Sequence, residues 1–573
     1  MKKRIYAVAI IASAVLVGCS SESTDKEGSS STNKSNATGV FEGSGHGYGG
    51  ELKVKVTLKD GTITDMELVS NEDTSVVIDR AFPVLKERII EAQTPVVDSV
   101  SGATFSSFGI KTAVAEVLKQ NGAKVEDITI ATKGPETKRR DLEAVNTQIV
   151  VVGGGPAGLS AAIEAKENGA KDVILIEKLD ILSGNGKFDM DFVNIINTKA
   201  QKELGIEDSV EDFVNYLRDE KKVWDTQERI YAQAEGAYVL DEWLRDMGTE
   251  LNYCFDERNH MAEKDQYAGE VIQANLEKRA YELGIDIRTG TEGLDLIMKD
   301  GKAVGVKVKH KNDYYDINAE AVIIATGGFS SNKELLKKYN TGAETLQTSN
   351  QMGTTGDFIP VFEKNNIALD KMDVTRIFPF INIPRKDLTG GPDGFILVNS
   401  DGERFVDETK REKELATAIQ SQKDGKVYYI YDQDLYENTY RFQKHYKLGY
   451  HTKADSLEEL AEKLGIDAEG LKQSVATFNK AVKGEIDDPY RETAFTDEIN
   501  ASGPYYGVQV ESAIHMTRGG VVANEKAQVL DNDGNVVEGL YAAGEVTATS
   551  QAYSAAVIFG RISGAEAAAY VQK

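Results

Sequence analysis

The chain has 573 residues, enough for two to four domains of ordinary size. With 41% apolar and 28% charged residues it has a soluble globular composition, and a formal net charge of −26 argues against a nucleic-acid partner. Its two cysteines, Cys19 and Cys254, leave no disulfide pair in the mature body and exclude C-x-x-C-H haem sites and cysteine-ligated clusters. Redox chemistry would therefore run on an organic cofactor, and no metal is expected.

Residues 1–19 read as an export leader. Lys2, Lys3 and Arg4 precede an apolar run, Ile5 to Val17, that is too short to span a bilayer. Leu16-Val17-Gly18-Cys19 resembles a bacterial lipobox, which implies acylation of Cys19 and a lipid anchor on the extracytoplasmic face of the membrane. Residues 20–38 are rich in Ser, Thr, Asn and Lys and form a tether with a random-coil reach of roughly 25 Å.

Residues 39–123 form a small α+β unit. Leu52–Leu58 and Thr62–Val69 alternate around Lys59-Asp60-Gly61 and predict a hairpin; helices are expected over Phe82–Ala92 and Ser107–Gln120. Between them lies Asp98-Ser-Val-Ser-Gly-Ala-Thr104. This stretch resembles the D-x-x-S-G-A-T flavinylation motif of small FMN-binding domains in respiratory flavoproteins. The resemblance implies that a flavin transferase joins FMN to Thr104 through a phosphoester, beside a helix N-terminus that favours the phosphate. The plainer reading is a helix cap at Ser106 or Ser107.

After a polar linker (124–146), Gln148 to Val152 is an apolar strand leading into Gly153-Gly154-Gly155-Pro156-Ala157-Gly158. A helix, the strand Val173–Ile176 and Glu177 follow. Gly153, Gly155 and Gly158 fit the dinucleotide fingerprint: a tight turn, backbone close to a pyrophosphate, and close helix–strand packing, with the acid on the ribose. A hairpin is expected over Leu296–His310 around Asp300-Gly301.

Further segments then resemble the fumarate reductase/succinate dehydrogenase flavoprotein family, in its single-chain fumarate- and urocanate-reductase-like form. These are Ser183-Gly184-Asn185-Gly186, Ala321 to Thr326-Gly327-Gly328, Thr355-Gly356-Asp357, and Gly539 to Gly544-Glu545-Val546-Thr547. The resemblance implies a Rossmann-like FAD-binding domain in two parts (147–371 and 515–573) around an inserted clamp (372–514). It places Gly153, Gly155, Pro156, Ala157, Gly158, Glu177, Gly184, Asn185, Thr326, Gly327, Gly328, Asp357, Gly544 and Glu545 on FAD. The FAD would be non-covalent, since the 183–186 loop holds no histidine.

The same resemblance assigns chemistry. Gly402-Glu403-Arg404-Phe405-Val406-Asp407-Glu408 is similar to the family's G-x-R-F-V-N-E, which implies that Arg404 protonates the alkene after hydride transfer. Arginine is an awkward acid, so a purely electrostatic role is the alternative. His515-Met516-Thr517-Arg518 is similar to the H-H-T-M carboxylate site, with Arg518 able to hold the carboxylate that Met516, in place of a histidine, cannot. Other positions depart from the family. Ile377-Phe378-Pro379-Phe380 replaces A-H-P-T, Asp387 to Gly391 lacks the T-E-A-V-R relay, and residues 548–553 lack the second carboxylate clamp.

Phe378, Phe380 and Tyr553 then suggest an aryl or apolar unsaturated monocarboxylate, with Arg376 and Arg385 as the residues able to rebuild a dicarboxylate site. The expected function is an anaerobic reductase fed through FMN by a membrane electron donor. Alternatives are a ketosteroid-dehydrogenase-like desaturase, a fumarate reductase proper, and a non-catalytic flavin carrier.

Overall fold

The computed structural model describes residues 36–73, 75–123, 138–182, 184–187, 192–264, 266–391, 393–492, 497–500, 502–549 and 553–573. The leader with Cys19, nearly all of the tether, most of the linker and Ser183 lie outside the described residues.

The N-terminal unit is a three-stranded antiparallel sheet (Gly39–His46, Glu51–Lys59, Thr62–Asn71) covered by helices Ser75–Ala92 and Thr104–Gln120. Alternation along the central strand buries Leu52, Val54, Val56 and Leu58 against Ile110, Ala113, Val114 and Val117. Asp60 and Gly61 both take positive φ (48° and 73°), as the expected two-residue hairpin requires. Both helices start earlier than predicted. Val77, Ile78 and Ala81 are buried and extend the first, and the second begins at Thr104 itself.

The FAD-type sheet runs, in order, Asp286–Arg288, Val173–Ile176, Val145–Val152, Asp313–Ile324, Lys302–His310, Thr291–Lys299, with Val536–Ala542 also paired to Asp313–Ile324. The pairs around Val145–Val152 are parallel, and Ile149 to Val152 are buried, as for a strand covered on both faces. The second hairpin also turns on positive φ at Asp300 and Gly301. Helix Pro156–Glu167 is backed by the terminal helix Tyr553–Val571, where a Cβ at Gly564 would sit 2.2 Å from the carbonyl of Ala161. Only glycine permits that approach.

The inserted unit is a sheet in the order Asp387–Leu388, Thr375–Asn382, Tyr505–Thr517, Lys426–Asp432, Ile396–Val398. Its strand Tyr505–Thr517 continues straight into the FAD body and delivers His515 and Met516 there, so the expected boundary at 514/515 falls within one strand.

The N-terminal unit is seated on both others. Ile181 of the FAD body packs in its core. Asp180 pairs with Arg88 at 2.8 Å and accepts from the backbone N–H and hydroxyl of Ser101 at 2.8 and 2.9 Å. Glu277, fully buried, pairs with Arg80 at 3.2 Å. Among the described residues no helix is long and apolar enough to cross a membrane, and no His/Cys/Asp/Glu group is arranged to hold a metal.

Candidate active site

A cavity of about 480 Å³ opens along the carboxyl ends of the parallel strands and runs to the inserted unit. Its nucleotide end is built around the first glycine turn. Gly153 has φ +116°, and a Cβ there would lie 2.3 Å from the carbonyl of Ala325. A Cβ at Gly158 would lie 1.8 Å from the carbonyl of Gly153, so this glycine acts from behind the wall, by letting helix meet strand. Gly155 ends the turn as an N-cap with no side-chain hydrogen bond, which leaves the first N–H groups of helix Pro156–Glu167 for a phosphate.

Glu177 lines the cavity, where its carboxylate accepts from the N–H of Gly154 and of Leu179, both at 2.8 Å. The acid thus also holds the turn it follows. Pro156, Ala157, Gly184, Asn185, Thr326, Gly327, Asp357, Gly544 and Glu545 line the same cavity; Gly328 packs behind it, against Glu545 and Thr517. Asp357 is paired with Lys178 at 2.6 Å, and Asn185 accepts from the N–H of Gln351 at 3.0 Å. The Thr326 hydroxyl is buried and has no partner among the described residues. An orphaned hydroxyl, an uncapped helix N-terminus and glycine-only backbone together fit FAD.

Glu545 sits between this end and the next. It accepts from the backbone N–H of Thr517 at 3.0 Å and its hydroxyl at 3.2 Å. Burial pushes its carboxyl up from 4.5 to about 7, opposed by Thr517, Asn185 and the nearby Arg518. The folded chain therefore binds this proton more tightly than the unfolded chain. Its stabilising contribution is present at acid pH and is lost as pH rises from the ordinary carboxylate range through about 7. Flavin-free protein should lose thermal stability across that window, and Glu545→Gln should flatten the slope. An identical pH profile of the melting temperature in the variant would exclude Glu545 as its source.

The far end is walled by Arg376 and Phe378 (strand Thr375–Asn382), Leu388, Arg441 (helix Tyr440–Lys447), His515 and Met516. His515 Nδ1 lies 3.0 Å from Ser349 Oγ, and its ring centroid lies 5.9 Å from that of Phe378. Arg376 holds Glu412 through two hydrogen bonds, one of them from Nε at 2.8 Å. Tyr553 closes the wall with a buried hydroxyl that has no partner among the described residues. Arg518 lies just outside the lining, close to Arg376, Glu412 and Glu545; burial and then Arg376 lower its pKa.

Two expected site residues are elsewhere. The Arg404 side chain is 3% exposed and does not line the cavity. Its guanidinium donates to Glu408 at 2.9 and 2.8 Å and to Asp488 at 2.6 Å, under Phe478 and Tyr490. A guanidinium held by two carboxylates is a still poorer acid, so the geometry makes Arg404 a structural ion pair of the inserted unit. Phe380 also turns away, into an aromatic core with Phe395 and Tyr429 at 6.0 and 5.5 Å. Its ring still meets Phe378 edge-on at 6.3 Å, but the strand shifts register between Phe378 and Ile381, and Phe378 alone of the pair lines the cavity. Sequence reasoning missed Arg441, which sits in no motif; Arg376 had a signal, two residues before Phe378 on the same strand.

Thr104 is exposed at the first position of its helix, whose N-cap, Ala103, makes no side-chain hydrogen bond. Ser107 Oγ accepts from the N–H of Val100 at 3.0 Å and closes the loop beneath. An accessible hydroxyl at an open helix N-terminus fits a phosphoester-linked FMN.

Comparison with known proteins agrees with this geometry. An FAD binding domain model matches residues 148–555, and an FMN-binding domain model matches residues 47–119. Urocanate reductase of Eggerthella lenta is 31% identical, with 95% of each chain covered. Fumarate reductase (cytochrome) of Shewanella frigidimarina is 33% identical over 74% of this chain and 77% of its own. NADH:fumarate oxidoreductase of Klebsiella pneumoniae is 29% identical over 90% of this chain, which spans only 57% of that longer protein. Among solved structures, the open conformation of a flavocytochrome c3 fumarate reductase superposes with a TM-score of 0.69 at 30% identity, covering 75% of this chain and 79% of that one.

Proposed function

The chain belongs to the fumarate- and urocanate-reductase-like flavoprotein family with an N-terminal FMN-binding domain, and on that premise we propose that it reduces the C=C bond of an unsaturated carboxylate with an aryl or apolar body. It is a flavin-dependent oxidoreductase acting on C=C bonds, with FAD and FMN as cofactors. What carries the substrate reading is the far wall of the cavity, where Arg376 and His515 face Phe378, Leu388 and Met516.

FAD, when bound, supplies the hydride. The carboxylate would be received by His515, oriented by Ser349. Phe378, Leu388 and Met516 would exclude water and hold the apolar body. Arg376 lines the cavity while Glu412 behind it is 42% exposed, so the pair links the reacting carbon to solvent. In this reading Arg376 gives a proton to the carbon next to the one that accepts hydride, and Glu412 passes a solvent proton back to it. FMN, joined to Thr104 by a flavin transferase, would take electrons from a membrane donor. Asp180 of the FAD body binds the Thr104 loop, and Glu177, Lys178 and Leu179 just before it line the FAD cavity, so the two flavin sites are adjoining.

One observation favours a dicarboxylate instead: Arg441 supplies a second guanidinium to the same wall. A viologen-linked assay of an aryl enoate against fumarate separates the readings. Because Arg376 is already compensated by Glu412, fumarate would bury one carboxylate poorly paired, a cost on the order of 3 kcal/mol, or about a hundredfold in kcat/KM. A kcat/KM for fumarate equal to or above that of every aryl enoate would establish the dicarboxylate reading.

A further inference from the structure

Tyr48 of the FMN-binding domain reaches into the inserted unit. Its hydroxyl donates to the carboxylate of Asp387, which is 3% exposed. The Tyr48 ring lies 6.0 Å from Phe105, the residue after Thr104, and 6.5 Å edge-on from Tyr450. Arg385 covers the outer side of this seam, 5.0 Å over Phe105 and 5.3 Å over Tyr450.

Two elements lead from Asp387 to the cavity. On its own short strand the next residue, Leu388, lines the cavity wall. On helix Tyr440–Lys447, His445 places Nε2 3.7 Å from Asp387, and Arg441, one turn earlier on that helix, lines the same wall. Thr389 ties the two together, 3.2 Å from His445 Nδ1 and 3.2 Å from His451 Nε2. A contact made by the FMN-binding domain thus ends, within one residue along the strand and one turn along the helix, at two side chains of the candidate substrate wall.

We propose that Tyr48 is a positioning residue of the substrate site: its hydrogen bond to Asp387 sets the strand and helix that present Leu388 and Arg441. The electron-input domain is then also part of the machinery that shapes the pocket. This rests on the reading of the cavity as the substrate site.

The test uses full-length, flavinylated, FAD-loaded enzyme carrying Tyr48→Phe, which keeps the ring and removes the donor. Amide exchange is expected to rise in segments 387–391 and 440–451. KM for the enoate is expected to rise about tenfold with kcat within about twofold, the scale set by removing one hydrogen bond to a buried carboxylate. FMN content by intact mass should stay at one per chain. Asp387→Asn, which keeps an oxygen for the tyrosine hydroxyl, should retain a KM near wild type and serves as the milder variant if Tyr48→Phe folds poorly.

An unchanged KM, or increased exchange confined to residues 47–50, would overturn the proposal, as would an Asp387→Asn defect as large as that of Tyr48→Phe. If wild-type enzyme turns over no enoate, the reductase reading fails by itself, and exchange still decides the joint. Loss of protection at 440–451 in Tyr48→Phe then supports it, and retained protection overturns it.

Discussion

Enzyme carrying Arg376→Gln is expected to keep its FAD and its fold and to lose about a thousandfold in kcat, the scale of a removed general acid. Arg376 is the cavity-lining guanidinium with a carboxylate open to water behind it, and glutamine can neither carry its charge nor exchange its proton with Glu412. The paired control is Arg404→Gln. There the guanidinium is enclosed by Glu408 and Asp488, and removing it leaves two carboxylates without a cation, a loss of about 3–5 kcal/mol in stability. Steady-state turnover and thermal melting of both variants distinguish the roles. A folded Arg404→Gln enzyme with a thousandfold lower kcat, beside an Arg376→Gln enzyme within tenfold of wild type, would reverse the two roles.

The second large effect is expected at Thr104. Thr104→Ala should abolish FMN attachment, with intact mass short by one FMN after co-expression with a flavin transferase. Neighbouring hydroxyls offer no substitute: Ser101 is engaged by Asp180, and Ser106 and Ser107 are buried. Turnover driven by a dye that reduces FAD directly should persist, while turnover through the natural electron donor should vanish. Wild-type chain that stays unmodified under these conditions, or Thr104→Ala that still carries FMN, would remove Thr104 from the electron path.

The parts of this molecule legible in the sequence are those whose chemistry is local. Asp60-Gly61 and Asp300-Gly301 name their own turns, because few other residue pairs accept two consecutive positive φ values. Gly153 to Gly158 and Glu177 could be placed because strand, turn, helix and acid are consecutive along one chain segment. Arg404 shows the limit. Its motif supplies Glu408 as one partner, but the carboxylate that completes the enclosure of its side chain, Asp488, is 84 residues away. Phe380 is turned from the cavity by a register shift beside Pro379, and Arg441 lies on a helix whose face toward the cavity is known only once the sheet beneath it is assembled. The substrate wall, gathered from elements spread between residues 375 and 553, is the part least readable in advance.

The seating of the N-terminal unit bears on how this protein can be taken apart. Ile181 lies in that unit's hydrophobic core though it belongs to the FAD body, Glu277 is fully buried against Arg80, and Asp387 takes its hydrogen bond from Tyr48. Excising the unit would lay bare an isoleucine and take one partner from each of two buried carboxylates. It is therefore not a portable cartridge: grafted elsewhere it would lack part of its core, and the remainder would need new surface chemistry before it could stand alone.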